Sequence, residues 1–243
     1  MSSALVVPDA AIKYILFQRT AYIRLPIARI DSLIRRLSRR PISGPVYNLG
    51  IALESRFGRS RTKALYAEDM EREYQSISAV LPPACSAVLD IGCGVAGIDV
   101  LIQRHYRGTP LDFFLLDRSE VAPSVFYSFQ SRGAFYNSLE VAKTMLTLNG
   151  LPADRIHLLE ATPTNEIRVS RKVELVLSLL SWGFHYPVNT YLDRVHDCLS
   201  EDGVVVMDVR KGSDGLQALR NVFPTVQVIQ STAKYDRIAA RKR

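Results

Sequence analysis

Cysteine is scarce in this chain: Cys85, Cys93 and Cys198 form no Cys-x-x-Cys pair and have no histidine at metal-ligand spacing. A disulfide framework and a zinc site are therefore not expected, and a reducing, cytoplasmic setting is the simpler one. No apolar run reaches the roughly 18 residues of a membrane-spanning helix, so none is expected. The basic, then apolar, then small-residue order of a secretory signal is missing near Met1. An Arg-rich leader is also the pattern of an organelle transit peptide, which stays open as the alternative. Neither repeats nor low-complexity stretches occur.

Acidic residues are scarce in one place. Residues 1–63 hold twelve Lys/Arg against Asp9, Asp31 and Glu54, whereas residues 64–243 carry a net charge of −2. The overall charge of +7 thus belongs to the N-terminal quarter. With 47% hydrophobic residues over 243 positions, there is enough apolar material for one large α/β domain plus an extension.

Within residues 10–40, Ile12, Ile15 and Leu16, then Ile27, Ile30, Leu33, Ile34 and Leu37, recur at helical spacing, with Pro26 between the groups. Two short amphipathic helices are expected. They read either as a support with a solvated basic face or as a docking face for an anionic membrane surface or a protein partner. No recognised nucleic-acid-reading motif accompanies them. Residues 41–62 hold two prolines and three glycines and read as a linker around one short helical piece. Residues 62–80 read as a helix with an apolar stripe of Leu65, Met70, Tyr74 and Ile77, ended by Pro82-Pro83. The expected division is a basic helical extension and linker over 1–61 and a domain over 62–243.

From residue 87 strands alternate with helices: AVLDI, LDFFLLD, RIHLLEA, VELVLSLLS and GVVVMDV read as strands, with helical patterns between them. TVQVIQS and YDRIAARK follow the last helix, separated by STAK, and read as a hairpin. The expected fold is α/β: a doubly wound, mainly parallel sheet buried on both faces, with a C-terminal antiparallel hairpin.

The first strand leads into Asp90-Ile-Gly92-Cys93-Gly94-Val-Ala96-Gly97. Ligands of such sheets sit beyond the carboxyl ends of the strands, and glycines there let a ligand approach the backbone. Gly92-x-Gly94-x-x-Gly97 also matches the dinucleotide fingerprint, a weak signal alone. Asp90 is awkward beside a diphosphate and welcome beside an ammonium group. Asp117, ending the next strand, can accept both hydroxyls of a ribose, whichever nucleoside is bound.

Together these residues, the VELVLSLLS strand and the final hairpin resemble the class I S-adenosylmethionine-dependent methyltransferases over about residues 66–243. The resemblance implies a Rossmann-like methyltransferase fold with S-adenosylmethionine as cofactor. It implies that Gly92, Cys93 and Gly94 meet the methionine part, Asp90 the amino group and Asp117 the ribose. A residue after the third strand, Glu160 or Thr162, would meet the adenine, and Ser178 joins the cofactor-binding set. The leading helix would cap the cleft through Tyr66 or Glu71. The family's third glycine falls on Ala96 here, and its adenine-contacting acid on Thr162.

Ser181, Trp182, His185 and Tyr186 follow the fourth strand, where a methyl acceptor would lie. His185 has the side chain suited to deprotonating a hydroxyl, or it is a packed loop histidine. The [DNS]PP[YFW] signature of adenine-amine methylation is missing, which favours a small acceptor methylated at oxygen, such as a sugar or secondary metabolite. Arg210 and Lys211, after the fifth strand, can meet an acidic substrate or simply be solvated. Phe126, Tyr127, Phe129, Phe135 and Tyr136 crowd one long connection, which reads as a substrate wall or as sheet cover. The rival functions are an NAD(P)-dependent oxidoreductase and a non-catalytic partner protein retaining the fold.

Overall fold

The computed structural model describes residues 4–23, 44–119 and 137–243. The second expected N-terminal helix, around residues 27–37, and the aromatic residues at 126–136 lie outside the described residues. The chain forms helices α1 (Ile12–Gln18), α2 (Gly44–Phe57), α3 (Arg59–Ile77), α4 (Gly97–His105), α5 (Leu139–Leu148), α6 (Leu192–Cys198) and α7 (Gly215–Val222). Its strands are β1 (Ala87–Ile91), β2 (Asp112–Asp117), β3 (Ile156–Glu160), β4 (Val173–Ser178), β5 (Leu199–Arg210), β6 (Thr225–Ser231) and β7 (Tyr235–Arg241).

All seven strands join one sheet in the order β3-β2-β1-β4-β5-β7-β6. The first five in that order are parallel, and β7 runs antiparallel to both β5 and β6. The expected hairpin is present, with the later strand inserted toward the sheet centre. β1 to β5 are apolar because alternate side chains serve two cores. Val88, Phe113, Leu115 and Leu177 pack under α1, α3, α4 and α5. Leu89, Phe114, Leu116 and Val176 pack on the opposite face, under α6 and α7. At the outer edge β6 keeps alternating polar residues and is largely exposed.

Two readings of the N-terminal quarter change. Residues 44–57 form a 14-residue helix where a linker was expected. Pro45 lies in its first turn, where proline is tolerated. Gly58 separates it from α3 at a point where a Cβ would press on the Glu54 carbonyl and carboxyl groups. The first basic helix is also no appended arm. Ile12, Tyr14, Ile15, Leu16 and Phe17 are all buried in the same core as α3 and α4. Burying side chains of this size contributes about 1.5–3 kcal/mol each, so α1 belongs to the domain and its apolar side is already covered. Among the described residues, no helix is long and apolar enough to cross a membrane.

Candidate active site

The turn after β1 is shaped by its backbone. Gly92 and Gly94 have φ of +76° and +56°, which glycine adopts at no steric cost. A Cβ on Gly92 would overlap the Ser181 side chain, and one on Gly94 would press on Gln18 of α1. The Gly92 N–H donates to Leu116 O at 2.6 Å, which stitches the turn to β2. The Gly94 N–H donates to Asp117 Oδ2 at 2.9 Å. Ala96, at the family's third-glycine position, adopts the left-handed φ of +58°, at a cost of about 1–2 kcal/mol for a residue with a Cβ. Gly97 is needed for a different reason: a Cβ there would strike the Tyr66 ring.

A cavity of about 790 Å³ opens above this turn. Asp90, Gly92, Cys93, Gly94, Asp117 and His185 all line it. Tyr66, Met70 and Glu73 of α3 contribute to the lining, as the leading-helix expectation has it, whereas Glu71 turns to Gln75 at 3.2 Å. Three of the expected residues lie elsewhere. The Ser178 hydroxyl is fully buried, donates to Ile91 O at 2.8 Å and accepts from Trp182 N at 2.9 Å, so it fixes the β4 exit. Glu160 pairs in register with Asp117 but accepts from Ser119 N at 2.8 Å. Thr162 turns to Thr164 at 3.0 Å. Neither of the last two residues is in the cavity lining.

The cavity also holds residues that sequence reading passed over. Phe17, Gln18, Arg19 and Thr20 arrive from the N-terminal segment. That segment is held to α3 by the Arg19–Asp69 ion pair at 3.2 Å and by the Arg61 guanidinium donating to Tyr22 O at 2.6 Å. Asn137 is buried, and its Oδ1 has no partner among the described residues. Asp99, in the first turn of α4, is fully buried, with both carboxylate oxygens lacking a hydrogen-bond donor.

Asp90, Asp99 and Asp117 thus crowd three carboxyl groups together where α4 begins. Burial pushes the Asp90 carboxyl well above its usual range, and the charges of Asp99 and Asp117 push it further. Burial raises Asp99 to about 7 and Asp117 to about 6. Acids whose pKa is higher folded than unfolded favour folding at low pH and oppose it as pH rises through the folded values. Unfolding free energy should therefore fall by several kcal/mol between about pH 4 and pH 7. Urea titrations across that range should show a smaller fall in Asp99→Asn; an identical fall would exclude Asp99 as its source.

His185 is half-buried in the loop after β4, and its ring has no hydrogen-bond partner among the described residues. Burial, and then the nearby Arg210 charge, lower its pKa below the usual 6.5, so the neutral imidazole dominates at neutral pH. The Cys93 thiol is also in the lining, but burial raises its pKa and keeps it protonated. Among the described residues, no group of three or more His, Cys, Asp or Glu is placed to hold a metal ion.

No protein-family model and no curated protein sequence matches the chain. Solved structures do match its fold. A precorrin-6y C5,15-methyltransferase from Geobacter metallireducens GS-15 is 18% identical, with a TM-score of 0.50 over 71% of this chain and 88% of that one. A protein from Nostoc punctiforme PCC 73102 assigned as an O-methyltransferase is 17% identical, with a TM-score of 0.51 over 76% of this chain and 59% of that one.

Proposed function

From a fold shared with S-adenosylmethionine-dependent methyltransferases, we propose that this chain binds S-adenosylmethionine and methylates a small-molecule acceptor at oxygen. The observation that carries the reading is the set of carboxyl groups around the glycine turn. Diphosphate sites offer helix N–H groups to an anion. Here the α4 N-terminus is covered by Tyr66 and flanked by the buried Asp90 and Asp99 and the half-buried Asp117. A cationic ligand would draw these groups into their charged form, which a diphosphate would oppose.

The residues present fit this cofactor. Asp90 would face its ammonium group, the Gly92–Gly94 backbone its methionine part and Asp117 its ribose, with the orphaned Asn137 Oδ1 beside them. When bound, S-adenosylmethionine supplies an electrophilic methyl group on a positively charged sulfur. The chain's own part is to hold the acceptor hydroxyl in line and to exclude water. The neutral His185 ring lines the same cavity and would take the hydroxyl proton as the oxygen gains the methyl group.

Calorimetric titration of the folded protein with S-adenosylmethionine, its demethylated product S-adenosylhomocysteine and NAD(H) tests the reading. Micromolar binding of the first two and none of NAD(H) is expected. The reverse selectivity would move the chain to the oxidoreductases, and cofactor binding without turnover on any acceptor would favour a non-catalytic role. Asp90→Asn should weaken S-adenosylmethionine binding by about tenfold, or 1.4 kcal/mol, and leave the protein folded. Unchanged affinity would remove Asp90 from the cofactor site.

A further inference from the structure

The cavity lining carries charges of both signs on different segments. The acids Asp90 and Asp117 come from β1 and the end of β2, whereas Arg210, Lys211 and Lys234 come from the end of β5 and the β6–β7 turn, beside the loop that carries His185. Three of the lining's charges are paired locally. Glu73 is held by Arg237, Arg19 by Asp69 and Lys211 by Asp236.

The basic rim is built from three segments fastened to one another. The Arg210 N–H donates to Gly183 O at 2.9 Å, tying the end of β5 to the loop that carries His185. The Lys211 N–H donates to Lys234 O at 2.9 Å, tying the same strand end to the β6–β7 turn. That turn is closed in its own right by Thr232, whose hydroxyl accepts from the Lys234 and Tyr235 N–H groups at 3.2 and 3.1 Å. Its cations are displayed on this frame. The Arg210 guanidinium lies 5.6 Å from the Phe184 ring centroid, and that ring packs edge-on against Tyr235 at 5.9 Å. Lys211 Nζ is 2.8 Å from Ser231 Oγ and 3.4 Å from Asp236. The Lys234 ammonium has no ion-pair partner among the described residues.

We propose that the acceptor is a small organic acid, its carboxylate or phosphate seated by Arg210 and Lys234, with Lys211 behind, and its hydroxyl turned toward His185. The inference rests on the methyltransferase reading and adds the substrate class to it. An anion here is attracted by the cations that line the cavity. The planar guanidinium of Arg210, steadied on Phe184, presents paired donors to a carboxylate or phosphate, and Lys234 adds a mobile point charge. The aromatic pair Phe184–Tyr235 offers an apolar wall for the rest of the acceptor.

The test uses the full chain saturated with S-adenosylhomocysteine and a panel of aromatic and aliphatic hydroxy acids, each paired with its neutral carboxamide. A second set carries phosphate in place of carboxylate. Acids should bind at least tenfold more tightly than their carboxamides, with the gap narrowing as salt is raised. The gap should collapse in Arg210→Gln/Lys234→Gln, while S-adenosylhomocysteine binds as before. Lys234→Gln alone, a change at an exposed position, should narrow it several-fold without risk to folding. Phosphates favoured over carboxylates would assign the anion. Normal S-adenosylhomocysteine binding with no preference for acids overturns the proposal and leaves the methyltransferase reading standing. Failure to bind S-adenosylhomocysteine overturns both. Tight, salt-sensitive binding of a single-stranded RNA oligonucleotide that is lost in the same double variant would overturn the small-acid assignment in favour of a nucleic acid.

Discussion

Arg237→Ala should lower the free energy of unfolding by about 3–5 kcal/mol, the usual cost of removing one partner from a buried ion pair. That is a large share of the 5–15 kcal/mol by which domains are generally stable. The Arg237 side chain is inaccessible to solvent, and so is Asp208. Its Nε and Nη2 atoms donate to the two Asp208 oxygens at 2.7 and 2.8 Å. Nη1 reaches Glu73 and donates to Ser76 Oγ at 2.6 Å, both on α3. Alanine would leave one carboxylate buried without a countercharge and release α3 from the sheet. Burial alone favours the neutral form of any of these groups. It is the paired geometry that makes the charges tolerable. Denaturant titration followed through Trp182, the only tryptophan and fully buried, would measure the loss. Arg237→Met combined with Asp208→Asn should recover part of it, since no unpaired charge then remains. A loss under 1 kcal/mol for Arg237→Ala would show that the clamp holds nothing together.

Replacing His185 with alanine should cut turnover by about 10²–10⁴-fold, the usual range for a positioned general base. S-adenosylhomocysteine affinity should barely move, because the role proposed for His185 is toward the acceptor. The pH profile carries the sign. The imidazole pKa is lowered by burial and by Arg210, so the active, neutral form prevails above a value somewhat below 6.5. In the unmodified protein kcat/KM should fall as pH drops through that value, and His185→Gln should lose the inflection. Less than a tenfold effect, or an inflection that survives in His185→Gln, would reduce His185 to a packed loop residue.

The glycine turn was legible in the sequence because its chemistry is local. Asp90, Gly92, Gly94 and the strand-ending Asp117 lie within 28 consecutive residues, and strand–turn–helix geometry brings them together whatever surrounds them. Asp99 escaped notice for the opposite reason. An acid in the first turn of a helix is ordinary, and only the packing of Tyr66 over α4 turns this one into a buried carboxyl group. Gln18 and Arg19 reach the cavity from about 75 positions earlier in the chain, a contact no local pattern announces. The burial of α1 did leave a trace. Its IKYILF run is apolar almost all round, which is the mark of a helix enclosed by protein, but the arginines that follow from Arg19 onward make charge the stronger local signal. Ser178 looked like a ligand because it ends a strand near the site. Whether its hydroxyl points into the crevice or back at the backbone depends on the loop that follows.

The position of β7 bears on how the protein is made. It is threaded between β5 and β6 although it is synthesised after both. A nascent chain halted before Tyr235 would expose the edge of β5, a ready template for misassociation. It would also leave Asp208 waiting for a countercharge that has not yet been translated. Competence therefore arrives late and all at once. A premature stop in the last ten codons before Arg241 should send the product to proteolysis or inclusion bodies instead of yielding a merely weakened catalyst.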